Sequence, residues 1–183
     1  MSINHKAIKA DRLKLKTFTL NDASRITPLL QDKEIASTTI TIPYPYHEKS
    51  AIDWVNANEK GLKNGDNIVW AICLLENLEL VGAVNLSVNK VHNSAELGYW
   101  VGKRYWNKGY CSEAADAVIS FGFKNMSLNK IVAYHMSRNP ASGKVMQKIG
   151  MTHEGSFKKH YYKWGQYEDV EAYGVLASEK KFA

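Results

Sequence analysis

Ser94-Ala95-Glu96-Leu97-Gly98-Tyr99-Trp100-Val101, followed by the turn Gly102 to Gly109, then Tyr110 to Met126 and Lys130 to Met136, is the stretch that decides the fold. The first and last pieces are β-rich and bounded by turn formers, which predicts strands. Between them, the polar residues Glu113, Asp116, Ser120 and Lys124 fall at helical offsets and leave one narrow wet stripe on an otherwise apolar segment. A helix of that kind must be largely buried. Strand, buried helix and strand in succession make a crossover unit, whose strand-to-helix turn is where a ligand would sit.

Upstream, Arg12 to Phe18 alternates Leu13 and Leu15 with lysines and reads as a strand. Thr19-Leu20-Asn21-Asp22 resembles a capping box, so a first helix is expected to about Gln31. Pro43 and Pro45 force extended backbone in a loop from Thr38 to Tyr46 with an aromatic tip. Ala51, Trp54, Val55 and Leu62 lie at helical spacing, and Asn64-Gly65 ends that helix. Ile68 to Leu75, Glu79 to Asn89 and Ser94 to Val101 form an antiparallel meander with turns at Asn77 and His92-Asn93. Downstream come a helix over Pro140 to Ile149, closed by Gly150, and two strands ending near Leu176. The order β, α, α, β, β, β, α, β, α, β, β predicts an α/β (α+β) fold, a mixed, mostly antiparallel sheet flanked by helices on both faces.

With 183 residues and 45% apolar content, one domain over residues 1–183 is expected. No apolar run approaches the roughly 20 residues that cross a bilayer, and residues 1–16 lack the apolar middle of a signal peptide, so a cytoplasmic protein is predicted. Cys73 and Cys111 suggest neither a disulfide framework nor a zinc site, and the six histidines show no ligand spacing, so no metal is expected. A net charge of +6 points to an anionic partner: a nucleotide cofactor, RNA or a ribosome surface.

The turn Lys103-Arg104-Tyr105-Trp106-Asn107-Lys108-Gly109-Tyr110-Cys111-Ser112 carries three cations and a glycine into the buried helix, which suits a pyrophosphate; a plain basic bend is the competing reading. Around it the sequence resembles the GNAT acetyltransferase superfamily, and more closely the branch that includes the ribosomal-protein N-acetyltransferases. The resemblance is carried by residues 95–101, by Tyr105 to Tyr110 and by Ser112-Glu113-Ala114. The family's pattern of Arg or Gln, two residues, Gly, one residue, Gly or Ala maps onto Arg104, Asn107 and Gly109. Asn107 departs from the first glycine and must adopt a left-handed backbone to serve there. Asn139-Pro140-Ala141-Ser142, with Gly150-Met151 and Glu154-Gly155, looks like the family's later motif; helix capping by Asn139 is the structural alternative. Tyr167 to Tyr173 resembles its final strand.

The resemblance implies an acetyl-CoA-dependent N-acetyltransferase acting on a primary amine by direct attack. It assigns cofactor contacts to Tyr99, Trp100 and Val101, to Arg104, Asn107, Lys108, Gly109, Tyr110, Cys111 and Ser112, and to Asn139 and Ser142. Glu96 is the candidate base, set against a reading as an ordinary polar strand residue. Ser142 is the candidate proton donor to the departing thiolate, with Tyr134 or Tyr161 as substitutes. A helix N-terminus could make Cys111 a reactive thiolate, but close packing of a small residue is the favoured reading. The acceptor is a small-molecule or peptide amine, including a ribosomal protein, with contacts expected from Tyr44, Tyr46, Trp54, Tyr161 and Trp164; the segment Lys158 to Tyr162 lacks the carboxylate considered for the base in the ribosomal-protein branch. Homodimers are frequent among such proteins. Rival readings are an RNA- or ribosome-binding module, from the interleaved cations and aromatics of Lys158 to Trp164, and a non-catalytic acetyl-CoA-binding protein.

Overall fold

Two short strands, β1 (Ile8–Lys9) and β2 (Leu13–Thr17), open the described chain, residues 7–180 of a computed structural model. Leu13 and Leu15 are fully buried, whereas Lys16, on the opposite face, reaches Asp22 at 2.7 Å. The expected capping box is present, the Thr19 amide donating to Asp22 Oδ2 at 3.0 Å. The single helix expected to Gln31 is instead a 3-10 turn (Leu20–Asp22), α1 (Ala23–Leu29) and a separate α2 (Lys33–Ser37). Pro28 lacks an N–H near the end of α1, and Asp32 starts a new helix by accepting from the Glu34 amide at 2.9 Å.

After α3 (Glu48–Asn64), closed by left-handed Gly65, the strands β3 (Asn67–Leu74), β4 (Leu80–Asn89) and β5 (Ser94–Val101) form the predicted meander. Then follow α4 (Tyr110–Met126), β6 (Lys130–Met136), α5 (Pro140–Lys148), β7 (Thr152–Lys163) and β8 (Gln166–Leu176). The eight strands make one sheet in the order β1-β2-β3-β4-β5-β6-β8-β7, antiparallel throughout except for the β5–β6 pair.

α4 crosses one face. Its Phe121 ring meets Trp70 edge-on at 5.5 Å, and Gly122 lets the helix settle on Leu86 and Ile131, where a Cβ would lie 3.2 and 3.0 Å from their side chains. The other face carries α1 and α3, which pack on each other and over β4 and β3. Helices on both faces of a mostly antiparallel sheet are therefore what the chain forms. Both cysteines are free, and among the described residues no helix is long and apolar enough to cross a membrane.

Candidate active site

The parallel strands β5 and β6 share only three register pairs: Ser94 with Lys130, Ala95 with Ile131 and Glu96 with Val132. Beyond Glu96 they separate, although β5 stays paired to β4 along its whole length and β6 to β8. The β6-facing edge of β5 from Leu97 onward thus carries backbone groups with no strand partner, a ready acceptor of an extended ligand. Tyr99 reaches across to the first turn of α5. Its hydroxyl lies 2.8 Å from Ser142 Oγ and donates to the Ser142 carbonyl at 3.1 Å. Burial, with nearby Cys111, pushes the phenol far above its usual range.

At the end of β5 a 3-10 turn over Lys103–Tyr105 leads into α4, and Trp106 Nε1 ties it back to the Val101 carbonyl at 2.7 Å. Asn107 has φ 61° and Gly109 φ 80°, so both take the left-handed region, as Asn107 must if it stands in for glycine. Gly109 precedes α4 without any side-chain cap, which leaves the first N–H groups of Tyr110, Cys111 and Ser112 open at the positive end of a 17-residue helix. The side chains are less available than the sequence suggests. Arg104 pairs with Glu79 at 3.0 Å and Lys103 with Asp32 and Glu34, whereas Lys108 lies over the Tyr105 ring at 5.7 Å. Anion binding here would rest on backbone amides and Lys108.

Arg12 braces this loop from the other end of the chain. Its backbone amide and Nε donate to Glu113 at 2.7 and 2.8 Å, Nη1 donates to the Lys108 carbonyl at 3.0 Å, and its guanidinium covers Tyr110 at 4.9 Å. No local pattern marks this partner, because 101 positions separate Arg12 from Glu113. Cys111 stands in the first turn of α4 with its thiol pushed up to about 12 by burial, which agrees with close packing and not with a reactive thiolate. Ser112 beside it is buried, while Trp100 and Val101 form the end of β5.

Asn139 precedes Pro140 at the start of α5, but its side chain makes no capping hydrogen bond. Gly143, next to Ser142, lies under His135: a Cβ there would come within 2.7 Å of Nε2 and press on that buried ring.

Across the sheet from α4, Glu96 keeps contact with water while desolvation by its surroundings raises its carboxyl above the usual range. Burial also raises the Tyr161 phenol, with Glu96 and Tyr134 close enough to add to the effect. The 38–47 loop is latched over this side. Buried Lys163 donates to the Ile40 and Ile42 carbonyls at 3.2 and 3.3 Å, Arg138 donates to the Ser37 carbonyl at 2.5 Å, and Tyr44 meets Trp164 at 6.2 Å. Of the aromatics expected at the acceptor, Tyr46 is in the core at 3% exposure and Trp54 packs edge-on against Phe18 at 4.9 Å. Tyr44, Tyr161 and Trp164 remain on the open side. Among the described residues no cluster of three His, Cys, Asp or Glu side chains could hold a metal.

Residues 12–152 match the family model for the acetyltransferase (GNAT) domain. The uncharacterized N-acetyltransferase YnaD of Bacillus subtilis is 32% identical over 174 residues, covering 94% of this chain and 98% of that protein. A GNAT-family acetyltransferase from Bacillus anthracis superposes with a TM-score of 0.85 at 30% identity, covering 95% of this chain and 100% of the other. The ribosomal L7/L12 α-N-protein acetyltransferase RimL, solved with coenzyme A, superposes with a TM-score of 0.87 at 19% identity over 93% of this chain and 98% of its own.

Proposed function

This chain belongs to the acetyltransferase (GNAT) family and is an acyltransferase; from that premise we propose that it transfers acetyl from acetyl-CoA to a primary amine by direct attack in a ternary complex. The observation that carries this reading is the three-pair β5–β6 contact opening beside an uncapped helix N-terminus. Such a cleft fits an extended arm ending in a pyrophosphate. The amides of residues 107–112 hold the pyrophosphate, with Lys108 adding charge, and the free edge of β5 at Tyr99–Val101 holds the pantetheine arm. Asn139, its side chain uncommitted, lines the same arm. A coenzyme A complex of the fold neighbour RimL supports the cofactor.

Acetyl-CoA supplies the acyl group as an activated thioester. Fixed N–H donors on the β5 edge polarise its carbonyl, an effect worth about 3 kcal/mol per donor in acyl transfer. Glu96 takes the amine proton, directly or through a water, and its raised carboxyl brings it toward the pH at which a base works best. Ser142 donates to the departing sulfur. An α-amine, with a pKa near 8, needs less help than a lysine at about 10.4, which favours protein N-termini or small amines of similar basicity. The name of the RimL neighbour supports a peptide N-terminus, a ribosomal one included.

The basic and aromatic run from Lys158 to Trp164 does not favour the nucleic-acid reading. The register shifts between Phe157 and Tyr161, and Lys163 is buried against loop carbonyls, so the run presents no single stacking face. Thiol release from acetyl-CoA with peptides bearing free N-termini, amino acids, polyamines and aminoglycosides tests the function. Turnover is expected with at least one α-amine. Binding of acetyl-CoA without turnover on any of them would favour a non-catalytic acetyl-CoA-binding protein.

A further inference from the structure

We propose that Tyr99 is a positioning residue for the departure of the thiolate: its phenol holds the Ser142 hydroxyl as a polarised donor aimed at the sulfur. The inference rests on the reading of Ser142 as the group that donates to that sulfur. Among the described residues, the Tyr99 hydroxyl makes the only side-chain hydrogen bonds that cross from β5 to α5, and both end on Ser142. The ring itself is fixed, since it packs against the core near Cys111 at the start of α4.

One phenol proton faces two acceptors. When it goes to the Ser142 carbonyl, at 3.1 Å, the serine hydroxyl can donate back to the phenol oxygen at 2.8 Å and is turned away from the cleft. When it goes to Ser142 Oγ, the serine proton is free to point into the cleft, and a chain of two O–H groups ends at the sulfur. Each donor in such a chain polarises the next. Developing charge on sulfur draws the pair into this second arrangement.

Tyr99 is not itself the acid. Its hydroxyl is engaged by the Ser142 carbonyl and Oγ at 3.1 and 2.8 Å, so its proton serves the serine and does not reach the sulfur. The balance is met through Glu96: the N–C bond forms as the C–S bond breaks, the nitrogen's proton passes to Glu96 and on to solvent, sulfur takes the Ser142 proton, and Ser142 regains one from water. Nothing is oxidised or reduced.

A double-mutant cycle on thiol release from acetyl-CoA tests this, with a free-N-terminus peptide as acceptor and water as the acceptor in a parallel hydrolysis assay that expels the same thiolate. Tyr99→Phe should lower kcat about tenfold, the loss of one hydrogen bond to a group that develops charge, with KM for acetyl-CoA changing far less than kcat. Ser142→Ala should lower kcat by about a hundredfold. The double variant should be no slower than Ser142→Ala. Additive losses, or a Tyr99→Phe variant that loses acetyl-CoA affinity while keeping kcat, would overturn the positioning role and leave the acetyltransferase reading intact. Unchanged kcat in Ser142→Ala would remove Ser142 from the mechanism, and this inference with it.

Discussion

The 102–109 turn, which leads from β5 into α4, and the 38–47 loop, latched by Lys163 at the end of β7, are built in different ways. The turn's backbone path is set chiefly by its own residues, with Arg12 as a remote brace: Asn107 and Gly109 tolerate the left-handed backbone, and Trp106 ties back only five positions. The loop is held from far away by Lys163, at 123 and 121 positions, and the end of α2 just before it by Arg138 at 101. A locally encoded site suits a ligand that every member of a family shares. A site assembled from remote contacts can be retuned without disturbing the first, which is what a variable acceptor requires.

Glu96 stands at the last register pair between β5 and β6, where the strands part, and the largest effect is expected there. Glu96→Gln should lower turnover by about 10²–10⁴-fold while acetyl-CoA binding persists. Because the carboxyl is raised, the acid limb of the wild-type pH–rate profile should lie above its ordinary value of 4.5, with rate lost as pH falls through it. That limb should vanish in the variant, and full activity in Glu96→Gln would assign the base elsewhere. Lys163→Met should come next, because it leaves two loop carbonyls without their charged donor. A cost of about 2–3 kcal/mol would show as a lower thermal midpoint and a higher KM for the acceptor, with KM for acetyl-CoA unchanged. Equal effects on both KM values would break the separation of the two regions. Gly109→Val should be the mirror image on a smaller scale. A β-branched residue at φ 80° costs about 1–2 kcal/mol, and titration should find acetyl-CoA affinity reduced while acceptor KM holds.

The same contrast governs what the sequence discloses. The β5–α4–β6 unit, the capping box at Thr19 and the need for a left-handed Asn107 can all be read within a few residues of chain. The break between α1 and α2 is also local, but the Thr19 capping pattern conceals it, as Pro28 and Asp32 override a helix expected to continue. Arg12 cannot be read at all, since its partners Glu113 and Lys108 become neighbours only when β2 and α4 pack together. Nor can the role of Lys163, which in the sequence is one more cation in a basic and aromatic run and in the fold is a buried latch. Tyr46 shows the reverse error, an aromatic near a loop that the core absorbs, while Trp54 is half-buried against Phe18. The Tyr99–Ser142 bridge lies between: each residue stands in a legible motif, but their contact spans 43 positions.

Thermal unfolding with and without acetyl-CoA tests the central claim most directly. At about 100 times the dissociation constant a native-state ligand adds roughly 2.7 kcal/mol, which for a chain of this size should raise the midpoint by about 5–11 °C. A rise of that order is the predicted result. An unchanged midpoint at millimolar acetyl-CoA would contradict it, for then the opening between β5 and β6 and the amides of residues 107–112 do not bind the cofactor.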